Sequence, residues 1–212
     1  MTEEQVPLEA RRARARRGHG DKLRLEILSA AERLLALTSD ESAVSIRAVA
    51  DAVGVTPPSI YLHFADKEEL LVEVCETNFD NVSKAVEEAA AKATDPLDAI
   101  KSASIAYARF GIEHPEEYRI LFMRKAPSPE REEIETSRLV NSSGYGWLMR
   151  VVQECMEQGL LRRGDPLLAT IGVWSVVHGI TSLLISKPGT AWPPLEELIS
   201  YNIDAHLRGL KP

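Results

Sequence analysis

Residues 167–186, "LLATIGVWSVVHGITSLLIS", carry no charged side chain over twenty positions, and this stretch limits what the chain can fold into. It is long enough to cross a bilayer. In water, a helix that is apolar all round is stable only where neighbours cover it on two sides. Glycine and polar interruptions, His178 within the stretch and amphipathic segments on both flanks argue against a lone span. The reading is therefore the buried helix of an all-α, non-membrane domain. Gly172, Ser175, Gly179 and Ser182 form a small-residue stripe suited to close helix packing, while Trp174 and His178 share another face at i and i+4.

Apolar residues recur at helical spacing along nearly the whole chain, and no alternating strand pattern stands out. A first helix is predicted from Asp21 as N-cap to about Leu37, burying Leu23, Ile27, Ala31 and Leu34. Ser45 caps a short second helix with Ile46, Val49, Ala50 and Val53 inward and Arg47 and Asp51 outward, and Gly54 ends it. Thr56 caps a third helix through the amide of Ser59. Pro57 and Pro58 occupy its first two positions, where a backbone N–H has no intrahelical partner anyway. Ile60 faces the core. Asp66 and Glu69 form a capping box on a fourth helix that reaches about Ala93. Further helices are expected at Leu97 to Glu113 (Ile100, Ser104, Tyr107 and Gly111 on one face), over "HPEEYRILFM" after Pro115, from about Glu130 to Gln158 (with Ile134, Ser137, Val140, Trp147, Met149 and Val152), and from about Leu195 onward. "KAPSPERE" reads as a solvated connection. The implied organisation is a basic flexible arm over 1–20, a three-helix reader over 21–66 and a helical domain over 67–212.

Charge is unevenly placed. The 212 residues have a formal net charge of -7, yet residues 11–24 hold seven Lys or Arg against one Asp. A basic arm ahead of an acidic body is the asymmetry of a chain that meets a polyanion at one end. The two cysteines, Cys75 and Cys155, show no metal or redox spacing and read as packed, reduced thiols of a cytoplasmic protein with no secretory signal. The five histidines make no H-E-x-x-H or paired metal spacing, and no G-x-S-x-G elbow or phosphate-cradling glycine loop is present. No enzyme, metal or cofactor is therefore expected.

Two helices joined by a glycine turn and followed by a long helix have the layout of a helix-turn-helix reader. Lys67, in the first turn of the fourth helix, opposes the helix dipole unless an external phosphate meets it. "SIRAVADAVGVTPPSIYLHFADKEELL", Ser45 to Leu71, resembles without gaps the DNA-binding signature of the TetR family of bacterial transcriptional regulators. Many members have glycine where Pro58 stands. The resemblance implies that Arg47 reaches a base edge or phosphate, that Thr56, Tyr61, His63 and Lys67 hold the DNA backbone, and that Pro57, Pro58 and Ser59 face the bases. The arm from Arg11 to Arg17, including Arg14, Arg16 and Arg17, would add minor-groove or phosphate contacts.

"WSVVHG", Trp174 to Gly179, with "HPEEYRILF", further resembles the TetR subgroup named for a W-H-G motif. That resemblance implies a C-terminal domain that binds a small effector and dimerises through its last two helices, placing two readers on a palindromic operator. The expected function is a homodimeric repressor released from DNA by its effector. The alternative is a regulator whose C-terminal domain only dimerises or docks a protein. Tyr107, Phe110, Phe122, Trp147 and Trp174 could line an apolar effector pocket with His178 as its polar contact, or be plain core.

Overall fold

The computed structural model of the chain describes residues 19–38, 44–123, 133, 137, 140, 141 and 143–212, and every regular element among them is a helix. Two compact units divide at Glu76 and Thr77.

The first unit holds α1 (His19–Thr38), α2 (Ile46–Val53), α3 (Pro57–Ile60) and the opening turns of α4 (Lys67–Ala90). Helix α1 starts at His19, so the arm expected over 1–20 is already helical at its end. Asp21 is not the N-cap but sits in the first turn, where its carboxylate faces the positive end of the helix dipole. Ile27 and Ala31 are buried as expected, joined by Ala30 and Leu35, while Leu23 and Leu34 are half-buried. Arg24, which belongs by sequence to the basic stretch, is turned inward. Its guanidinium pairs with both carboxylate oxygens of Glu73 on α4 and lies 5.0 Å above the ring of Phe64.

Ser45 Oγ accepts the amide of Ala48 at 3.1 Å, starting α2. Gly54, at φ 76°, ends it in the left-handed region, with its N–H donating to Ala50 O at 2.9 Å. The Thr56 cap differs from expectation. The Ser59 amide donates to the Thr56 carbonyl at 2.8 Å, which leaves the Thr56 hydroxyl to pair with Ser59 Oγ at 3.1 Å. The capping box of α4 also closes differently. Asp66 Oδ1 accepts Glu69 N–H at 2.8 Å, but the Glu69 carboxylate returns to the amide of Ala65 rather than Asp66. Helix α4 stops at Ala90 because Lys92 and Ala93 bond three residues back, to Ala89 and Ala90, tightening the chain into a turn.

The second unit is built from the rest of α4 with α5 (Pro96–Glu113), α6 (Pro115–Phe122), α7 (Ser143–Glu157), α8 (Pro166–Ser186) and α9 (Leu195–Gly209). Asp95 caps α5 by accepting Asp98 N–H at 2.9 Å, which lets Pro96 open that helix. The expected helix from Glu130 is described as a continuous element only from Ser143. Ile134 lies outside the described residues, Ser137 and Val140 are exposed, and Val152 is buried. Both cysteines are buried and neither is in a disulfide, and burial, aided by Glu154, pushes the Cys155 thiol up to about 11, so it stays protonated.

The charge-free stretch is α8, packed against α5, α7 and α9. By length and composition it could cross a membrane. Val173, Val177, Thr181 and Ile185 are buried on one side, while Leu168, Ile171, Ser175, Gly179 and Leu183 form an exposed stripe. The small-residue stripe is therefore not one packing seam. Of its two glycines, Gly172 meets α9, where an added Cβ would lie 2.8 Å from the His206 ring, whereas a Cβ added at Gly179 would meet nothing within 4 Å. The tightest seam is instead Gly111 on α5, where a Cβ would lie 2.5 Å from Thr181 Cγ2 and 2.8 Å from Tyr118 Cδ2. Gly111→Ala must push α5 away from α6 and α8 and is expected to lower the unfolding free energy by about 1–3 kcal/mol, read from urea denaturation followed by circular dichroism.

Candidate functional site

Two sites follow from these helices. The first is on the N-terminal unit. Ile60 and Phe64 are buried and hold α3 in place, while Tyr61 closes α3 and is 54% exposed. Arg47 is exposed on α2, which packs on α3. Thr56 and Pro58 are exposed, Pro57 and Ser59 half-buried, and the Thr56–Ser59 hydroxyl pair is the direct contact among them. His63 is half-buried, with its ring edge beside Gly20 of α1. Lys67 is half-buried at the first position of α4. Arg14, Arg16 and Arg17 lie outside the described residues. Leu62 is a candidate that the sequence pattern misses. It is 83% exposed between Tyr61 and His63; as an apolar letter in a helical pattern it reads as core, and only its failure to repeat at helical spacing with Ile60 flags it. An uncharged short helix flanked by Arg47 and Lys67 can present methyl, hydroxyl and ring surfaces to base edges while cations meet phosphates.

The second site is a cavity inside the C-terminal unit, between α4, α5, α7 and α8, enclosing about 70 Å³ of free space. Of the six residues proposed from sequence, Tyr107, Phe122, Trp147 and Trp174 line it. Phe110 does not; it stacks on His114 at 4.8 Å between ring centres. Nor does His178, which lies behind the wall. Sequence reasoning misses the α4 contribution of Phe79, Val82, Ser83 and Val86, although their helical spacing on a helix leading out of the reader is a usable signal.

His178 ends a chain of hydrogen bonds, and its Nδ1 also lies 3.1 Å from the Tyr107 hydroxyl. Trp174 Nε1–H donates to the Tyr107 hydroxyl at 3.3 Å, and Tyr107 donates to the Tyr118 hydroxyl at 3.3 Å. Tyr118 in turn donates to His178 Nδ1 at 2.7 Å. With Nδ1 accepting, the hydrogen of the neutral ring is on Nε2, which can donate to Ser182 Oγ at 3.4 Å. The ring of His178 also stacks on Tyr118 at 5.6 Å. Burial raises both phenols above the ordinary tyrosine range, Tyr107 the more, and lowers His178. The whole chain of bonds is therefore neutral at neutral pH.

Known proteins match both units. Residues 27–74 match the family described as bacterial regulatory proteins, tetR family, and residues 100–206 match the tetracyclin repressor-like C-terminal domain. The uncharacterized HTH-type transcriptional regulator YobS of Bacillus subtilis (strain 168) is 28% identical over 171 residues, 79% of this chain and 82% of that one. The HTH-type transcriptional activator FasR of Mycolicibacterium smegmatis is 32% identical over 103 residues, 48% of this chain and 46% of its own. In fold, a TetR family transcription regulator from Marinobacter aquaeolei VT8 superposes with a TM-score of 0.69 at 22% identity, over 90% of this chain and 98% of that one.

The neutral His178 makes stability pH-dependent. Its folded value lies below the ordinary one near 6.5, as does that of His206, also through burial. The unfolded chain then binds more protons, so stability is full above about pH 6.5 and declines as the pH falls through and below it. Thermal melts from pH 8 to pH 5 are expected to show this decline, and His178→Gln to flatten part of it while lowering the melting temperature throughout.

Proposed function

Since the chain belongs to the TetR family of bacterial regulatory proteins and is a DNA-binding transcriptional regulator, we propose that it acts in the cytoplasm as a homodimeric repressor that leaves a palindromic operator when a small molecule fills the C-terminal cavity. The observation that carries this reading is the single helix α4, which opens on Lys67 beside the reader and supplies Phe79, Val82, Ser83 and Val86 to the cavity wall. A site for one aromatic ring takes about 150 Å³, roughly twice the free space enclosed. An occupant seated fully within the cavity would displace the wall, and a displaced α4 would carry Lys67 with it. The effector thereby favours a conformation in which two readers no longer fit successive major grooves.

The dimer reading draws on the exposed face of α8, where Leu168 is 69%, Ile171 41% and Leu183 50% exposed, with Tyr201 of α9 at 70%. Large apolar side chains exposed along one helix face mark a surface that a partner covers, and a second copy covers it symmetrically. The finer W-H-G assignment rests on Trp174, His178 and Gly179, on consecutive turns of that same helix.

On DNA, Arg47 would read a base edge and Thr56, Tyr61, His63 and Lys67 would hold the backbone, with Pro57, Pro58 and Ser59 against the bases and Arg14, Arg16 and Arg17 adding phosphate or minor-groove contacts. Binding isotherms on the operator and on scrambled DNA across a salt series separate these roles. Lys67→Ala is expected to weaken all sequences alike and reduce the salt slope by about one. Arg47→Ala is expected to cost on the order of 1–3 kcal/mol on the operator and relax preference at one base pair. Equal loss on every sequence would remove Arg47 from base reading. Leu168→Glu is expected to shift sedimentation from dimer to monomer and to lose operator binding with it.

A further inference from the structure

We infer that the cavity takes an uncharged, mainly aromatic or apolar molecule whose polar group is a hydrogen-bond acceptor, held by the hydroxyl of Ser83. This rests on the effector reading of the cavity and specifies its ligand.

Ser83 sits on α4, is 4% exposed and lines the cavity. The other buried serine and threonine hydroxyls among the described residues satisfy their own helices: Ser104 donates to Ile100 O at 2.7 Å, Thr170 to Pro166 O at 2.8 Å and Thr181 to Val177 O at 2.7 Å. Ser83 makes no such bond. Its oxygen instead accepts the amide of Gly144 on α7 at 3.1 Å. This arrangement needs glycine at 144, because a Cβ there would lie 3.0 Å from Ser83 Oγ and 3.3 Å from Ser83 Cα. The hydroxyl proton is then left in an apolar wall without an acceptor, which buried donors rarely are.

Among the groups of the polar chain and α5 the donors are committed elsewhere: the Ser104 proton to Ile100, the Trp174 Nε1–H to Tyr107 and the Tyr107 proton to Tyr118 at 3.3 Å or His178 Nδ1 at 3.1 Å. Tyr145 and Trp147 reach the cavity from α7, and the Ser83→Ala variant separates Ser83 from them. Tyr107 can accept from a ligand but has no proton to offer it. Among the described residues, none that lines the cavity carries a charge. A carboxylate or phosphate would be stripped of water there with no cation to meet it. Phe79, Phe122, Trp147 and Trp174 supply flat faces, which suit a ring.

The test uses the full chain and matched ring probes in two sizes: acetophenone, cumene and benzoate, and 2-acetylnaphthalene, 2-isopropylnaphthalene and 2-naphthoate. Calorimetric titration is expected to show at least one ketone binding about tenfold more tightly than its hydrocarbon match, the scale of one buried hydrogen bond, and neither carboxylate binding. Ser83→Ala is expected to abolish the ketone preference while keeping hydrocarbon affinity. Ser104→Ala, a substitution of the same size in the same wall, keeps the preference. Carboxylate binding as strong as the ketone, a preference that survives Ser83→Ala, or no binding by any probe overturns the inference. Operator affinity measured beside these titrations separates the two readings: a ketone that binds through Ser83 yet leaves operator affinity unchanged upholds the ligand class and removes its role as effector.

Discussion

Tyr118 is wholly buried where α5, α6 and α8 meet, and its hydroxyl has to be satisfied there or the seam could not close. The acceptor is His178 on α8, through a 2.7 Å bond. Because the imidazole is kept neutral by burial, it can accept that proton and still donate from its other nitrogen. Tyr107 in turn meets Tyr118, His178 and Trp174, so Tyr107 and Trp174 on the cavity wall are held by polar contacts behind them. Gly111 admits the close approach that makes this possible, since any side chain there would enter Thr181 and Tyr118. The apolar helix α8 is thus anchored by its few polar residues.

A comparable economy operates in the N-terminal unit. Arg24 belongs by charge pattern to the basic end of the chain, yet its guanidinium is committed to Glu73 and the face of Phe64. Planar geometry and weak hydration suit Arg to such a half-buried pairing. Helix α1 is thereby tied to α4, with the buried Phe64 ring beneath the pair. Arg47 on α2, by contrast, is exposed, and its position is set by the Ser45 cap and the left-handed Gly54.

Much of this is legible in the sequence because helical periodicity, caps and glycine turns act locally. Ser45, Gly54 and the buried face of α5 follow from spacing alone. What is not legible depends on which neighbour arrives. Spacing predicts a hydroxyl cap at Thr56, but a proline-opened turn brings the Ser59 amide to the carbonyl instead. Asp21 loses its cap role because the helix begins further back, at His19. Phe110 and His178 share helical faces with true cavity residues, and periodicity cannot tell the wall of a cavity from the layer behind it. Spacing can place Ser83 on the cavity face of α4 but not its hydrogen bond, which depends on Gly144, 61 residues away in the chain.

The two sides of α8 explain which wall of the cavity yields. Its inner face contributes Val173, Trp174 and Val177 to the cavity, while α5, α7 and α9 pack around it. In the proposed dimer the outer stripe from Leu168 to Leu183 is covered as well, leaving that helix no free direction. Helix α4 is different: behind its cavity residues, Asp80, Asn81, Lys84 and Glu88 are exposed to water. A wall backed by solvent moves at less cost than one backed by close-packed side chains. Under the proposed function, an occupant larger than the free space would therefore displace α4 in preference to α8, and α4 is the helix that begins at Lys67. Dimerisation on one face of α8 and ligand binding against the other would then be linked by stiffness: the more firmly the partner holds α8, the more of the displacement passes to α4.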